Sequence, residues 1–334
     1  MKILYHNTLP KSPLPEAEAV YKEIDSLHAH FGGEIINVYP QYIKRVAAPK
    51  QLYGLHRRGV LKQLDQQVDA HHIMFPFFYD FPYTKVLSKP IIYTCTTSKD
   101  VRYSISEGLR RYSIITESDS QYRRYSQSPF NKVDKILPGI EIDTREVSSA
   151  PDDNKFRLLM ASAPHSPGQF KSKKIYLLLD YVKRHSDIEL TLLWRGVHSQ
   201  KIKRLISSSK LNDRVTLVDE YVDVKPYYDR CNAAVLLCDE DGVVKNYPHS
   251  LIESVLYGRP VITSSKIEMS DLITKSNLGL VLNNHNVDEL HKAVSQIRAN
   301  YGNFKHSISQ FDRSVFNVDT YLSKVSRVYQ LVKR

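Results

Sequence analysis

The sequence predicts an α/β protein built of two doubly wound domains. Three observations carry that expectation. The chain has 334 residues, about twice the ~150 that one domain commonly uses. Short apolar runs alternate with segments of helical spacing, the pattern of parallel strands joined by crossover helices. A polar break then separates two such series.

Residues 2–5 form the first apolar run, and Pro10, Pro13 and Pro15 keep the following loop out of helix. Residues 16–30 place Ala19, Val20, Ile24 and Leu27 on one side of a helix, which Gly32 and Gly33 stop. Further strands fit residues 34–38, 70–75, 90–94 and 112–116; helices fit 60–67 and 120–126. Residues 148–154 are polar, aperiodic and contain Pro151, which makes them the linker. In the second series strands fit 156–161, 189–194, 215–218, 233–237 and 260–263. Its helices fit 174–185, 201–207, 249–257 and 288–298, and 318–332 is a last amphipathic helix. The expected domains are 1–147 and 148–317, with the C-terminal helix (318–334) packing back on the first. Such a pair forms a cleft between the carboxyl ends of its strands, where ligands bind.

Composition narrows the function classes. The chain is 42% hydrophobic and 25% charged, which excludes fibrous, collagenous and wholly disordered proteins. Its net charge is +11, spread as +4 over the first 150 residues and +7 over the rest. That balance suits anionic surroundings. The densest basic run is Lys44, Arg45, Lys50, Arg57, Arg58 and Lys62. It reads either as a solvated helix face or as a patch for anionic lipid headgroups. Nucleic acid is not an expected partner, because no helix-turn-helix, zinc finger or aromatic RNA-binding motif is present. Cys95, Cys231 and Cys238 are too few and too irregular for a disulfide framework or a zinc site. With no secretory signal and no apolar run near ~18 residues, the expected location is cytoplasmic, at the inner face of the membrane.

One stretch carries the chemistry: Lys245-Asn-Tyr-Pro-His-Ser-Leu-Ile-Glu-Ser-Val-Leu-Tyr-Gly-Arg-Pro-Val-Ile262. A loop with Pro248 leads into a helix beginning near His249 or Ser250. A helix start has free backbone N–H groups and a positive dipole end, which suits a diphosphate. Glu253, one turn on, can accept hydrogen bonds from the vicinal hydroxyls of a ribose. The same residues also fit a capping box of Ser250 and Glu253 with no ligand.

This stretch resembles the most distinctive region of retaining glycosyltransferase family 4, where two Glu residues precede a small-residue–Gly–Pro–Val run. Ile114-Ile-Thr-Glu-Ser118 resembles a family strand ending in Ser, and Ile136-Leu-Pro-Gly-Ile-Glu-Ile-Asp143 resembles its interdomain segment. Val215-Thr-Leu-Val-Asp-Glu-Tyr221, with 227–234 after it, is similar to a further strand, loop and helix of the family. The resemblance implies a GT-B architecture, two Rossmann-like doubly wound domains facing across a cleft. It implies transfer of a sugar from a nucleotide diphosphate sugar to an acceptor hydroxyl in cell-surface polysaccharide or glycoconjugate synthesis. The reaction would be retaining and metal-independent, with no cofactor and the donor held by the second domain.

Carried over residue by residue, Glu253 matches the ribose-binding carboxylate. Tyr247, Pro248, His249, Ser250 and Leu251 match the loop and helix start that meet diphosphate and donor sugar. Lys173 matches the phosphate-binding Lys, where a cation stabilises the departing nucleoside diphosphate. Three positions depart from the pattern. The first Glu falls on Lys245, and Asp239, Glu240 or Asp241 are the nearest replacements. The first-domain His falls on Thr96, with His71 and His72 on another strand end; Thr96 and His72 are taken as the acceptor side. The usual Gly-rich first loop is the Pro-rich segment 8–15, and Arg195 stands in for the usual Arg partner of the phosphate Lys. The expected partners are a nucleotide sugar, a glycan or lipid-linked acceptor, an anionic membrane met peripherally, and a second copy as homodimer. The alternative is an inactive GT-B protein that binds sugar nucleotide or a partner glycosyltransferase.

Overall fold

The computed structural model describes residues 1–40, 48–99, 105–141 and 154–332. The chain forms two compact units, one of Met1–Gly139 with Ser314–Arg334 and one of Ile140–Arg313. The first division thus falls eight residues before the expected boundary after 147, and the second four residues before 318. Of the linker expected at 148–154, all but Asn154 lies outside the described residues, as do Lys44 and Arg45 of the basic run.

The first unit runs β1 (Ile3–Asn7), α1 (Ala19–Phe31), β2 (Glu34–Asn37), α2 (Arg58–Asp65), β3 (Ala70–Phe75) and β4 (Ile91–Cys95). It continues through β5 (Tyr112–Thr116), α3 (Asp119–Ser126) and β6 (Lys132–Lys135). Its six strands are all parallel, in the order β2-β1-β3-β4-β5-β6. The four inner strands are buried along their length, which is why they read as unbroken apolar runs. Ser118 caps α3 by accepting from the Gln121 amide at 3.2 Å.

The second unit repeats the design. It runs β7 (Phe156–Met160), α4 (Gln169–Ser172), α5 (Ile175–Arg184), β8 (Ile188–Leu193), α6 (Ser199–Ser208) and β9 (Val215–Val218). Then come α7 (Lys225–Arg230), β10 (Ala233–Leu236), α8 (His249–Leu256), β11 (Val261–Ser264), α9 (Ser270–Lys275) and β12 (Gly279–Leu282). Helices α10 (Val287–Ala299) and α11 (Tyr301–Gln310) end it. Its parallel sheet has the order β12-β11-β10-β7-β8-β9. Two six-stranded parallel sheets, each flanked by helices, are the GT-B arrangement that the sequence predicts.

The last helix, α12 (Val318–Val332), packs in the first unit. Tyr321, Leu322, Val325, Val328, Tyr329 and Val332 share one apolar cluster with Ile3, Tyr5, Leu27 and Ile92. Each such side chain contributes about 1.5–3 kcal/mol of apolar burial. Gly139 lets the helix approach: a Cβ there would lie 2.6 Å from Tyr321 Cβ and 2.8 Å from Val318 Cα.

Two polar networks cross this core. His72 on β3 bonds the Tyr329 hydroxyl through Nδ1 and the Thr94 hydroxyl through Nε2, both at 2.7 Å. Both ring nitrogens are thereby used, and the side chain is fully buried. His72 is therefore a joint between β3, β4 and α12, and not the acceptor-side group the sequence predicts. In the second network Tyr83, His6, His71 and Asp65 are linked in series at 3.0, 3.0 and 2.9 Å. Burial pushes the Asp65 carboxyl up, but hydrogen bonds from Ser88, His71 and Lys89 outweigh it and hold the group at about 2. A carboxylate at one end fixes the direction of every bond. His71 Nε2–H donates to Asp65, His6 Nε2–H to His71 Nδ1, and the Tyr83 hydroxyl to His6 Nδ1. His71 is thus part of the core as well.

Candidate active site

In the second unit the site residues gather at the carboxyl ends of β7, β8 and β10, where doubly wound sheets bind ligands. Lys173 ends α4 and is only 3% exposed. Its ammonium donates to Ser162 Oγ and to the Ala163 carbonyl, both at 3.0 Å, on the segment leaving β7. Arg195 leaves β8 after the buried Trp194. Its Nη2 donates to the same Ala163 carbonyl at 2.9 Å and to His165 Nε2 at 3.2 Å. Two cations thus converge on one carbonyl oxygen.

His165 completes this group, and its role was not foreseen from the sequence. Burial holds its pKa well below the ordinary histidine range, and Arg195, Lys173 and His198 lower it further. A neutral ring accepts from Arg195 through Nε2, which leaves the proton on Nδ1. His198 reaches this neighbourhood from the start of α6, in a left-handed conformation with φ of +55°. A concentrated positive field with a neutral histidine beside it is suited to a phosphate group.

The loop leaving β10 supplies the second part. Lys245 is half-buried, and Asn246, Tyr247 and Pro248 are buried in sequence before α8. The side-chain amide of Asn246 has no hydrogen-bond partner among the described residues. Pro248, not Ser250, is the residue that precedes the helix, and no side chain caps it. The amides of Leu251 and Ile252 both donate to the Pro248 carbonyl, at 3.0 and 3.1 Å. The helix itself offers the Ser250 amide no acceptor. His249, half-buried, forms the first residue of α8.

The capping box of Ser250 and Glu253 is not formed. Glu253 is 8% exposed, and its Oε2 lies 3.1 Å from the hydroxyl of Tyr228 on α7. That hydroxyl also reaches the Ser250 carbonyl at 2.8 Å. Burial and the Glu253 charge push the Tyr228 phenol well above its usual range, so it stays a donor. Tyr228 is itself fixed by Arg259, fully buried, whose Nε donates to the Tyr228 carbonyl at 2.8 Å. Arg259 and Tyr228 therefore position the carboxylate that the sequence singled out. Two of the nearest replacements for the missing first Glu face other partners. Asp239 pairs with Lys174, and Asp241 lies 3.9 Å from Lys266.

In the first unit Thr96 follows β4, is 2% exposed and donates its amide to the Phe75 carbonyl at 3.3 Å. The aromatics Phe75, Phe77, Phe78, Phe81 and Tyr83 belong to the core, and Tyr79 packs half-buried against it. Among the described residues no three His, Cys, Asp or Glu side chains cluster as metal ligands would. No helix is long and apolar enough to cross a membrane among the described residues.

Residues 165–300 match the family model described as Glycosyl transferases group 1. No curated protein matches the chain. Solved structures match it nearly end to end. A glycosyltransferase from Rickettsia africae ESF-5 is 14% identical with a TM-score of 0.71, over 99% of this chain and 98% of that one. Anabaena Alr3699/HepE in complex with UDP-glucose is also 14% identical, with a TM-score of 0.69 over 99% of both chains. WaaG, a glycosyltransferase involved in lipopolysaccharide biosynthesis, is 13% identical, with a TM-score of 0.66 over 98% of this chain and 99% of that one. At such identities the structures establish the fold, and the family match adds the class of activity. The chain has the GT-B fold, and its second unit matches the group 1 glycosyltransferase model over residues 165–300.

Proposed function

We propose that this glycosyltransferase moves a sugar from a nucleoside diphosphate sugar, held by the second unit, to an acceptor hydroxyl bound by the first. The observation that carries the reading is the convergence of Lys173 and Arg195 on the Ala163 carbonyl at the sheet's carboxyl end. A diphosphate is the group that such a field would hold. The start of α8 adds amide donors, and Glu253 takes the ribose hydroxyls. HepE, solved with UDP and with UDP-glucose, supports a uridine donor.

The reaction we infer is retaining and needs no metal. The bond from C1 of the donor sugar to the phosphate oxygen breaks, and the acceptor oxygen bonds to C1 on the same face. The acceptor proton passes to the departing phosphate oxygen. Lys173 and Arg195 balance the charge that develops there, and the protein's main task is to hold both partners in line. WaaG is named for lipopolysaccharide biosynthesis, which favours a glycan or lipid-linked acceptor and work at a membrane face. Lys245 stands where the family has a carboxylate, and we assign it to the donor-sugar side.

Titration calorimetry with UDP, GDP and their glucose conjugates tests the donor. Glu253→Ala is expected to weaken nucleotide sugar binding by about 1–3 kcal/mol, the consequence of leaving hydroxyls unpaired. Unchanged affinity removes Glu253 from the site. Tight binding with neither hydrolysis nor transfer in any acceptor mixture would return the chain to the inactive binder.

A further inference from the structure

We propose that the first unit holds a phosphate group of the acceptor between Lys50 and Lys99, over the ring of Phe77. This rests on the transferase reading and names the chemical class of its acceptor.

The ammonium of Lys50 lies 4.9 Å from the Phe77 ring centroid and 5.6 Å from that of Tyr79. The ammonium of Lys99 lies 5.7 Å from the same Phe77 centroid. Neither lysine forms an ion pair with any described residue. Two like charges are thus brought to one ring by the fold, and among the described residues no carboxylate pairs with either. Burial lowers the pKa of Lys50, and the charge of Lys99 lowers it further. A dianion between the two would remove that repulsion.

The place is right for a ligand. Phe77 and Tyr79 leave the carboxyl end of β3, Lys99 leaves that of β4, and Lys50 lies on the connection from β2 to β3. Ligands of doubly wound sheets bind outside such ends. The loops are also held in advance. The amide and hydroxyl of Thr97 both donate to the Pro76 carbonyl, at 2.9 and 3.0 Å. Tyr93 on β4 donates its hydroxyl to the Phe77 carbonyl at 3.1 Å and accepts from the Tyr79 amide at 3.2 Å. Gln121 on α3 donates to the Thr97 carbonyl at 2.6 Å. Lysine as a point charge suits phosphate without demanding planar geometry.

The phosphate has two sources, a soluble sugar phosphate or a polyprenyl phosphate carrier, and two arms distinguish them. Both use full-length protein saturated with UDP, so that the second unit is occupied. In one arm glucose 1-phosphate and glucose are titrated by calorimetry. In the other, phosphatidylcholine vesicles with and without polyprenyl phosphate are sedimented with the protein. Phosphate-dependent binding is expected in one arm, about tenfold weaker in Lys50→Met and in Lys99→Met and restored in the Arg variants. UDP affinity, measured first, is expected to be the same in all of them, and its absence would count against the donor reading alone. Phosphate-dependent binding in neither arm, or Met variants equal to the wild type, overturns the proposal.

Discussion

His72 gives the sharpest test of the core, because its expected behaviour follows from two bonds. Burial holds its pKa down at about 3, with Glu23 opposing, while Tyr329 and Thr94 occupy both nitrogens. An unfolded histidine titrates near ~6.5. As pH falls below that value the unfolded chain takes up a proton that the folded chain refuses, so stability is lost with acidification. The loss begins near the unfolded value and continues down to the folded one. Between pH 7 and pH 5 this single group withdraws about 2 kcal/mol. For a unit of this size that corresponds to a fall in Tm of about 4–8 °C. His6 and His71, both lowered chiefly by burial, act in the same direction. The perturbation is His72→Gln, which retains a donor and an acceptor but cannot titrate. Scanning calorimetry at pH 7 and pH 5 should show the variant losing about 4–8 °C less than the wild type. Equal losses in both proteins, or an NMR titration of His72 near ~6.5, would refute the argument.

Other expectations come from single contacts. Tyr228→Phe removes the hydroxyl that donates to Glu253 and should lower stability by about 1–3 kcal/mol while weakening UDP-sugar binding; calorimetry reads both. Gly139→Ala forces a methyl against the backbone of α12 and should destabilise by about 1–3 kcal/mol, with faster proteolysis of that helix. Gly302→Ala on α11, where nothing lies within 4 Å, is the control and should leave Tm unchanged or slightly higher.

What the sequence made legible follows burial. The strands β3 and β5 and the helix α12 coincide with their expected ranges, because apolar runs and period 3.6 are strong where one face must be dry. The edge strand β9 also coincides, carried by Val215, Leu217 and Val218, although only Val215 of these is buried. The strands β6 and β12 were not anticipated. Both lie at sheet edges, where β6 is half-buried throughout and reads Lys-Val-Asp-Lys, while β12 begins with Gly279. Half-wet edges lack the pattern that marks inner strands. In the site, Lys173, Arg195 and Glu253 were visible as charges within motifs. His165, Tyr228 and Arg259 were not, because each matters through a partner 25 to 31 residues away in sequence. The misassignment of His72 has the same origin: its partner Tyr329 is 257 residues distant.

The return of α12 orders events during synthesis. The second unit is contiguous, so it can close once Arg313 has emerged, whereas the first lacks a wall of its interior until 318–332 is translated. At ~5–20 residues per second, the ribosome leaves Ile3, Tyr5, Leu27 and Ile92 waiting for their cover while the second unit is made. The strands of the first unit are thus made before the second unit and covered after it, and chaperones would meet this protein at that sheet.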